Sequence, residues 1–398
     1  MNNYKNSIEL KSSDFEEDRY SRLRLIPWWD QERLKNAKIM VVGAGALGNE
    51  LLKNLSLLGI GQILVYDIDS IENTNLTRSV LYREKDVGRY KAEVAAERAM
   101  DINPDIKVKA FVANIIDDVG LGVFRRMNVV LGGLDNREAR LAINQSCYKV
   151  SKPWIDGAIE ALNGFARVFV PGQGACYECT MNETDWLLIN KRKSCALLTK
   201  QQMSEGKIPT TPTSSSVIAG IQVQEMLKLL HSDRNLPTLA GKGYVFNGLT
   251  HDSYVVEYQR KEDCMSHDVY EEIIEKPWSV KTITFKKILE EIKKELGENA
   301  IIDLDRDIAT VATCSCGEHI ELFVPVHKLK ADMLTCHKCG KQMTFDSIHS
   351  INGSEDFMEK TPYDMGIPLL HIIGGRKGMK TVYYEFTDDE NEIFKELI

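Results

Sequence analysis

Six residues, Gly43-Ala44-Gly45-Ala46-Leu47-Gly48, constrain this chain more than any other stretch. They follow an apolar run, Lys38-Ile39-Met40-Val41-Val42, and open a helically spaced segment that runs from about Leu47 to Leu58 and stops at Gly59. A G-x-G-x-x-G turn between a strand and a helix belongs to a βαβ unit. Its glycines let the backbone pass close to phosphate oxygens at a helix N-terminus, where unpaired N–H groups and the dipole favour an anion. Alone, the turn is a weak signal. The next apolar run, Gln62–Tyr66, ends in Asp67, about 20 residues on, where such units place a carboxylate against ribose hydroxyls. A nucleotide with an unmodified ribose is expected.

The alternation continues with a helix from about Lys91 to Ile102, a strand near Lys107–Val112, a strand at Val129–Leu131 and a helix from about Arg137 to Val150. Strand and helix in this order predict an α/β fold with a Rossmann-like, mostly parallel sheet. Trp154–Ala158 and Phe165–Val170, joined through Asn163-Gly164, predict a switch to antiparallel pairing. From about Val269 the pattern becomes α+β. A helix capped by Thr284 carries Phe285, Ile288, Leu289, Ile292 and Leu296 on one stripe, and strands are expected at Ala300–Leu304 and Glu321–Val326. A hairpin of Leu369–Ile373 and Thr381–Phe386 is expected to turn through Gly374–Gly378. The chain thus divides into an arm over residues 1–18, a nucleotide-binding domain over 19–268 and a smaller domain over 269–398.

A net charge of −8 with both signs interspersed gives no reason to expect nucleic acid or anionic lipid as a partner. No run approaches 18 uncharged apolar residues and the N-terminus lacks a signal-peptide core, so no membrane span and a cytoplasmic location are expected. Nine cysteines in a cytosolic chain point to metal and catalysis before disulfides.

Asp67 is followed by Asp69, Asn75, Arg78 and Lys91, and the fourth strand ends in Gly132-Gly133-Leu134-Asp135-Asn136. Nicotinamide chemistry has no need of two further cations near the phosphates. A triphosphate does, because its departing pyrophosphate must be neutralised. In this order the residues resemble the E1-like superfamily, which holds the bacterial sulfur-carrier adenylyltransferases ThiF and MoeB and the ubiquitin-activating enzymes. The resemblance runs from about Arg19 to His267. It implies ATP and Mg2+ as cofactors, held by Gly43, Gly45, Ala46, Leu47, Gly48, Asp67, Asp69, Asn75, Arg78, Lys91, Asp135 and Asn136, with Asp135 toward the magnesium. The alternative use of Asp135 is as cap of the following helix. Arg19-Tyr20-Ser21-Arg22 resembles the family's R-Y-S/N-R-Q element, with Leu23 in place of Gln. It implies that Arg22 reaches the triphosphate of the opposite protomer of a homodimer; otherwise Arg22 is a surface arginine.

Cys176-Tyr177-Glu178-Cys179 and Cys264-Met265-Ser266-His267 supply four ligands in two close pairs, which suit a closed tetrahedral Zn2+. The superfamily usually has a fourth cysteine where His267 stands. Cys314-Ser315-Cys316 and Cys336-His337-Lys338-Cys339, with 19 residues between them, read as a zinc ribbon whose first pair is tighter than usual. Lys191-Arg192-Lys193-Ser194-Cys195 lies in a polar stretch over 182–213 expected to be a loop, and the cations favour thiolate at Cys195. The resemblance implies that Cys195 is the acceptor cysteine of a crossover segment, ahead of a helix resembling Ser214–Glu225.

The function implied is adenylation of the C-terminal carboxylate of a ubiquitin-like protein by Mg·ATP, with Arg22, Arg78, Lys91 and Asp135 catalytic. Thioester formation on Cys195 and transfer to an E2-like conjugating enzyme would follow. The C-terminal domain weakly resembles the ubiquitin-fold domain that recruits such enzymes. The stand-alone build resembles the activating component of bacterial ubiquitin-like conjugation operons, some of which defend against phage. Alternatives are a sulfur-carrier adenylyltransferase, a non-catalytic zinc-stabilised scaffold and a nicotinamide dehydrogenase.

Overall fold

The computed structural model describes residues 17–195, 209–395 and 397, with side chains of the first segment as far as Ile189. Two sheets organise it. The first has the strand order β3-β2-β1-β4-β5-β6-β7-β8. Its parallel part comprises β1 (Lys38–Val42), β2 (Gln62–Tyr66), β3 (Lys107–Phe111), β4 (Val129–Gly132) and β5 (Trp154–Glu160). In β1 the four residues Ile39–Val42 are all buried, as a strand covered on both faces requires. β6 (Asn163–Phe169), β7 (Lys242–Asn247) and β8 (Asp252–Glu257) continue it antiparallel.

A short helix, α1 (Gln31–Lys35), precedes β1. α2 (Ala46–Leu58), α3 (Lys91–Ile102) and α7 (Pro212–Leu230) cover one face of the sheet, burying Leu51, Leu55, Val94, Ala99, Ala219, Val223 and Met226. α4 (Leu121–Arg126) and α5 (Arg137–Lys149) cover the other, joined by Ile189 of α6 (Glu183–Cys195) and by Cys176 and Cys179 ahead of it.

The second sheet runs β11-β10-β13-β14-β9, with β12 along the other edge of β10. Its elements are β9 (Ile273–Lys276), α8 (Phe285–Leu296), β10 (Ile301–Thr313), β11 (His319–Pro325), β12 (Thr344–Ile351), β13 (Ile372–Lys377) and β14 (Lys380–Phe386). α8 buries Phe285, Ile288, Leu289 and Ile292, the expected stripe, against Ile302, Ile373 and Tyr384. α9 (Glu390–Phe394) returns to the first domain, where Ile393, Phe394 and Leu397 join the core that holds α4 and α5.

Four expectations are corrected. The stretch over 182–213 is not a loop throughout: Glu183–Cys195 is helical, and residues 196–208 lie outside the described residues. α7 starts at Pro212 under a Thr211 cap, two residues before the expected Ser214. The strand at Ala300–Leu304 runs on to Thr313, because it pairs with β13 and then β11 on one edge and with β12 along the other. The late hairpin does not turn at Gly374-Gly375. Both glycines are paired in β13, and the strands meet after Lys377. Among the described residues no helix is long and apolar enough to cross a membrane.

Candidate functional site

At the carboxyl edge of β1 the three glycines do different work. Gly43 has φ +92°, and a Cβ there would sit 2.5 Å from the Gly133 carbonyl oxygen. A Cβ on Gly48 would lie 1.9 Å from the Gly43 oxygen. These two are fixed by the protein's own packing. Around Gly45 a Cβ would meet nothing within 4 Å, so the space there is open to a ligand. Gly45 is also the N-cap of α2 and offers no capping side chain, so the first turn of the helix begins without a side-chain cap, as anion-binding helix N-termini do.

Buried polar side chains hold the turn. Asn49 donates to the carbonyls of Ala44 at 2.7 Å and Gly45 at 2.9 Å and accepts the Leu81 amide at 2.9 Å. The Tyr82 hydroxyl donates to the Ala44 carbonyl at 2.5 Å. The segment bearing Arg78 is thereby tied to the glycine turn. Asp67 accepts the amides of Ala44 at 2.7 Å and Asp69 at 2.8 Å. Burial pushes its carboxyl up from the usual aspartate range, against the pull of Lys91 and of those two amides. Lys91, at the first turn of α3, pairs with the exposed Asp69 at 2.7 Å. Arg78 donates to the Thr74 carbonyl at 2.6 Å, and Asn75 caps its own short turn by accepting the Glu72 amide at 3.0 Å.

The helix after β4 is capped by Asn136, which accepts the Ala139 amide at 2.8 Å, and not by Asp135. Asp135 is exposed, touched by the Asn136 amide group at 3.3 Å, and has carboxylate oxygen to spare for a hard cation. Its loop is braced by Arg140, which donates to the Leu134 carbonyl at 2.5 Å, the Gly157 carbonyl at 3.3 Å and the fully buried Asp156 at 2.8 Å. Arg167 from β6 pairs with the other Asp156 oxygen. The sequence reading missed Asn49, Tyr82, Arg140, Asp156 and Arg167. Asn49 and Arg140 bond mostly to backbone of other turns and strands, so the sequence carries no local signal for them.

Arg22 lies elsewhere. Tyr20, two residues before it, packs on Gly59 and accepts from Asn103 at 2.7 Å, so this segment sits where α2 and α3 end. The glycine turn and Lys91 are at the start of those helices, roughly 20 Å away for helices of this length. Arg22 is exposed and does not serve the turn of its own chain.

The ThiF family profile matches residues 17–266, well over half of the chain. This chain belongs to the ThiF family. It is 29% identical over 257 residues to ubiquitin-like modifier-activating enzyme 5 of Dictyostelium discoideum, covering 60% of this chain and 65% of that protein. It is 37% identical over 170 residues to a sulfur carrier protein adenylyltransferase of Thermus thermophilus, covering 41% and 63%. The crystal structure of E. coli MccB with ATP superposes with a TM-score of 0.53 at 26% identity, over 64% of this chain and 75% of MccB. The chain therefore spans just under two thirds of the length of these curated relatives.

Within the ThiF-family part, Cys176, Cys179, Cys264 and His267 converge. Cys176 Sγ lies 3.6 Å from Cys179 Sγ and 3.5 Å from Cys264 Sγ, and Cys179 Sγ lies 3.3 Å from His267 Nε2. A tetrahedral zinc with thiolate bonds near 2.3 Å needs ligand separations of roughly 3.8 Å, so the set fits with slight expansion. The Lys261 amide points at Cys179 Sγ from 3.3 Å, as amides do toward metal-bound thiolates. Cys314, Cys316, Cys336 and Cys339 form a second group of four ligand atoms all within 4.8 Å of one another. Cys195 ends α6, whose Asp185 pairs with Arg137 at 2.6 Å beside Asp135. Ten residues of helix place the Cys195 backbone roughly 15 Å further along the axis.

Proposed function

We propose that this ThiF-family chain activates the C-terminal carboxylate of a ubiquitin-like protein. One tail oxygen attacks the α-phosphorus of ATP, a P–O bond to the β-phosphate breaks and pyrophosphate leaves, giving an acyl adenylate. The observation that carries the reading is the meeting, at one sheet edge, of an uncapped helix N-terminus open at Gly45, the cations Arg78 and Lys91, and the exposed Asp135. The α2 N–H groups hold phosphate oxygens, Asp67 orients the ribose, and Lys91 and Arg78 neutralise the departing pyrophosphate. Asp135 would hold magnesium, which supplies positive charge across the phosphates. Arg22 comes from the second protomer of a homodimer, which suits its distance from the turn of its own chain. Zn2+ at Cys176, Cys179, Cys264 and His267 joins the end of the ThiF-family fold to its own earlier strand.

In the second step Cys195 thiolate attacks the adenylate carbonyl, the C–O bond to AMP breaks, and a thioester forms for transfer to a conjugating enzyme. A second reading, favoured by the similarity to a sulfur carrier protein adenylyltransferase, is an enzyme that stops at the adenylate and hands it to another acceptor. Incubation of Cys195→Ala with Mg·ATP and a candidate ubiquitin-like protein separates them. The thioester reading expects retained ATP–pyrophosphate exchange and loss of a reductant-sensitive adduct. An adduct that survives the substitution removes Cys195 from the mechanism.

A further inference from the structure

Between β10 and β12 the chain builds a small lobe outside the ThiF-family match and away from the nucleotide site. Its own core is slight, with Ala309, Ala312, Cys314, Leu329, Leu334, Cys336 and Met343 as its buried members. So few apolar groups do not hold a lobe without a staple. Each end of it carries a tight turn closed on a cysteine. The Gly317 amide donates to the Cys314 carbonyl at 2.9 Å, and the Cys314 amide to the Glu318 carbonyl at 2.9 Å. The Gly340 amide donates to the Cys336 carbonyl at 2.8 Å, and the Cys336 amide to the Lys341 carbonyl at 2.9 Å. Gly317 and Gly340, each following the second cysteine of its pair, have φ +88° and +71°, which lets both turns fold back. The C-x-C pair thus closes the same kind of knuckle as the C-x-x-C pair, with its single intervening residue taken up by the turn.

The four sulfurs face one another across the two knuckles. Cys314 lies 3.4 Å from Cys339, and Cys316 lies 3.6 Å from Cys336. Those separations exceed a disulfide bond, about 2.05 Å, by more than an ångström and approach the edge of a tetrahedral thiolate site.

The lobe is also attached at its base. Leu329, buried in its core, directly follows the turn Val326–Lys328, where His327 pairs with Asp117 and Lys328 reaches Asp118 at 2.5 Å. Arg306 of β10 donates to the Asp117 carbonyl at 3.1 Å. Asp117 and Asp118 lie just ahead of α4 in the first domain. We propose that Cys314, Cys316, Cys336 and Cys339 bind a second Zn2+, and that this metal makes the lobe a strut that holds the Asp117–Asp118 turn against the C-terminal domain. Soft thiolates in a closed tetrahedron select zinc over the hard cation that Asp135 would take.

The test is metal analysis of the purified 398-residue chain, with thiol-reactive release read by a chromogenic chelator. The two clusters predict two zinc ions per wild-type chain. The variant Cys316→Ser/Cys339→Ser, altered only at exposed ligands, retains one; Cys176→Ser/Cys264→Ser loses the other. A wild type holding one zinc that survives Cys316→Ser/Cys339→Ser, or a visible thiolate-to-iron band, overturns the zinc assignment. For the strut, amide hydrogen exchange over 114–126 should rise in Cys316→Ser/Cys339→Ser, and rise likewise in His327→Ala/Lys328→Ala with both zinc ions retained. Loss of zinc with unchanged exchange in that segment overturns the strut.

Discussion

Gly122 donates its amide to the Leu370 carbonyl at 2.9 Å, a bond between residues 248 positions apart that seats α4 directly on the C-terminal domain. Gly120 approaches as closely, since a Cβ there would lie 2.2 Å from the Leu369 carbonyl oxygen. Beside this contact Arg125 and Arg126 both pair with the fully buried Glu385, and Arg126 also reaches Glu390 at 2.7 Å. The two domains are packed as one body at this seam. Gly120→Ala therefore lowers unfolding stability by about 1–3 kcal/mol, the usual cost of overpacking. Urea titration checks it, and an unchanged midpoint would show that the seam yields freely.

The glycine turn separates stability from binding. Gly48→Ala drives a Cβ into the Gly43 carbonyl and is expected to destabilise the fold by about 1–3 kcal/mol. Gly45→Ala meets no protein atom, so it should melt like wild type and lose ATP affinity by roughly tenfold, about 1.4 kcal/mol. Thermal melts with and without Mg·ATP distinguish the two. Equal loss of stability in both variants would mean that Gly45 serves packing alone.

Asp67 gives the site an acid limit. Its carboxyl is held above the ordinary range by burial, and in the proposed role its ionised form is the better acceptor for ribose hydroxyls. As pH falls, the KM for ATP should rise at a higher pH than an unperturbed aspartate would produce. Asp67→Asn should show a high KM that no longer changes through the acid range. A parallel acid limb in both enzymes would assign the titration to another group.

Arg22 can be tested by mixing subunits. Arg22→Ala and Asp135→Ala should each abolish pyrophosphate exchange. Random assortment of the two in one preparation restores about a quarter of the wild-type sites, because half the dimers then have one intact site. No recovery after exchange of subunits would mean that Arg22 does not act across the dimer.

The first sheet was legible from β1 to β6 because its signals there are local, namely apolar runs of strand length, helical spacing, and the distance from the glycine turn to Asp67; β7 (Lys242–Asn247) and β8 (Asp252–Glu257) were not foreseen. α4 was not, since six residues containing Gly122 carry too little periodicity and its partners lie in Leu370 and Glu385, far along the chain. α6 read as a loop because its composition is polar; the buried Ile189, the partly buried Trp186 and the Asp185–Arg137 pair give it a seat. Gly374-Gly375 suggested a turn, yet these positions are paired in β13 and a Cβ on Gly375 would strike Ile292 of α8. The candidate site's charged residues were picked out by their order along the chain, which carries the family resemblance. Its braces, Asn49 and Arg140, were hidden, because what they hold is backbone that sequence alone does not bring together.

The central claim is that this pocket takes a triphosphate and not a dinucleotide redox carrier. Isothermal titration of the purified chain with Mg·ATP and with NADH measures it directly. The account predicts saturable ATP binding, abolished in Arg78→Ala/Lys91→Ala, and no heat from NADH. Tight NADH binding that excludes ATP would contradict it.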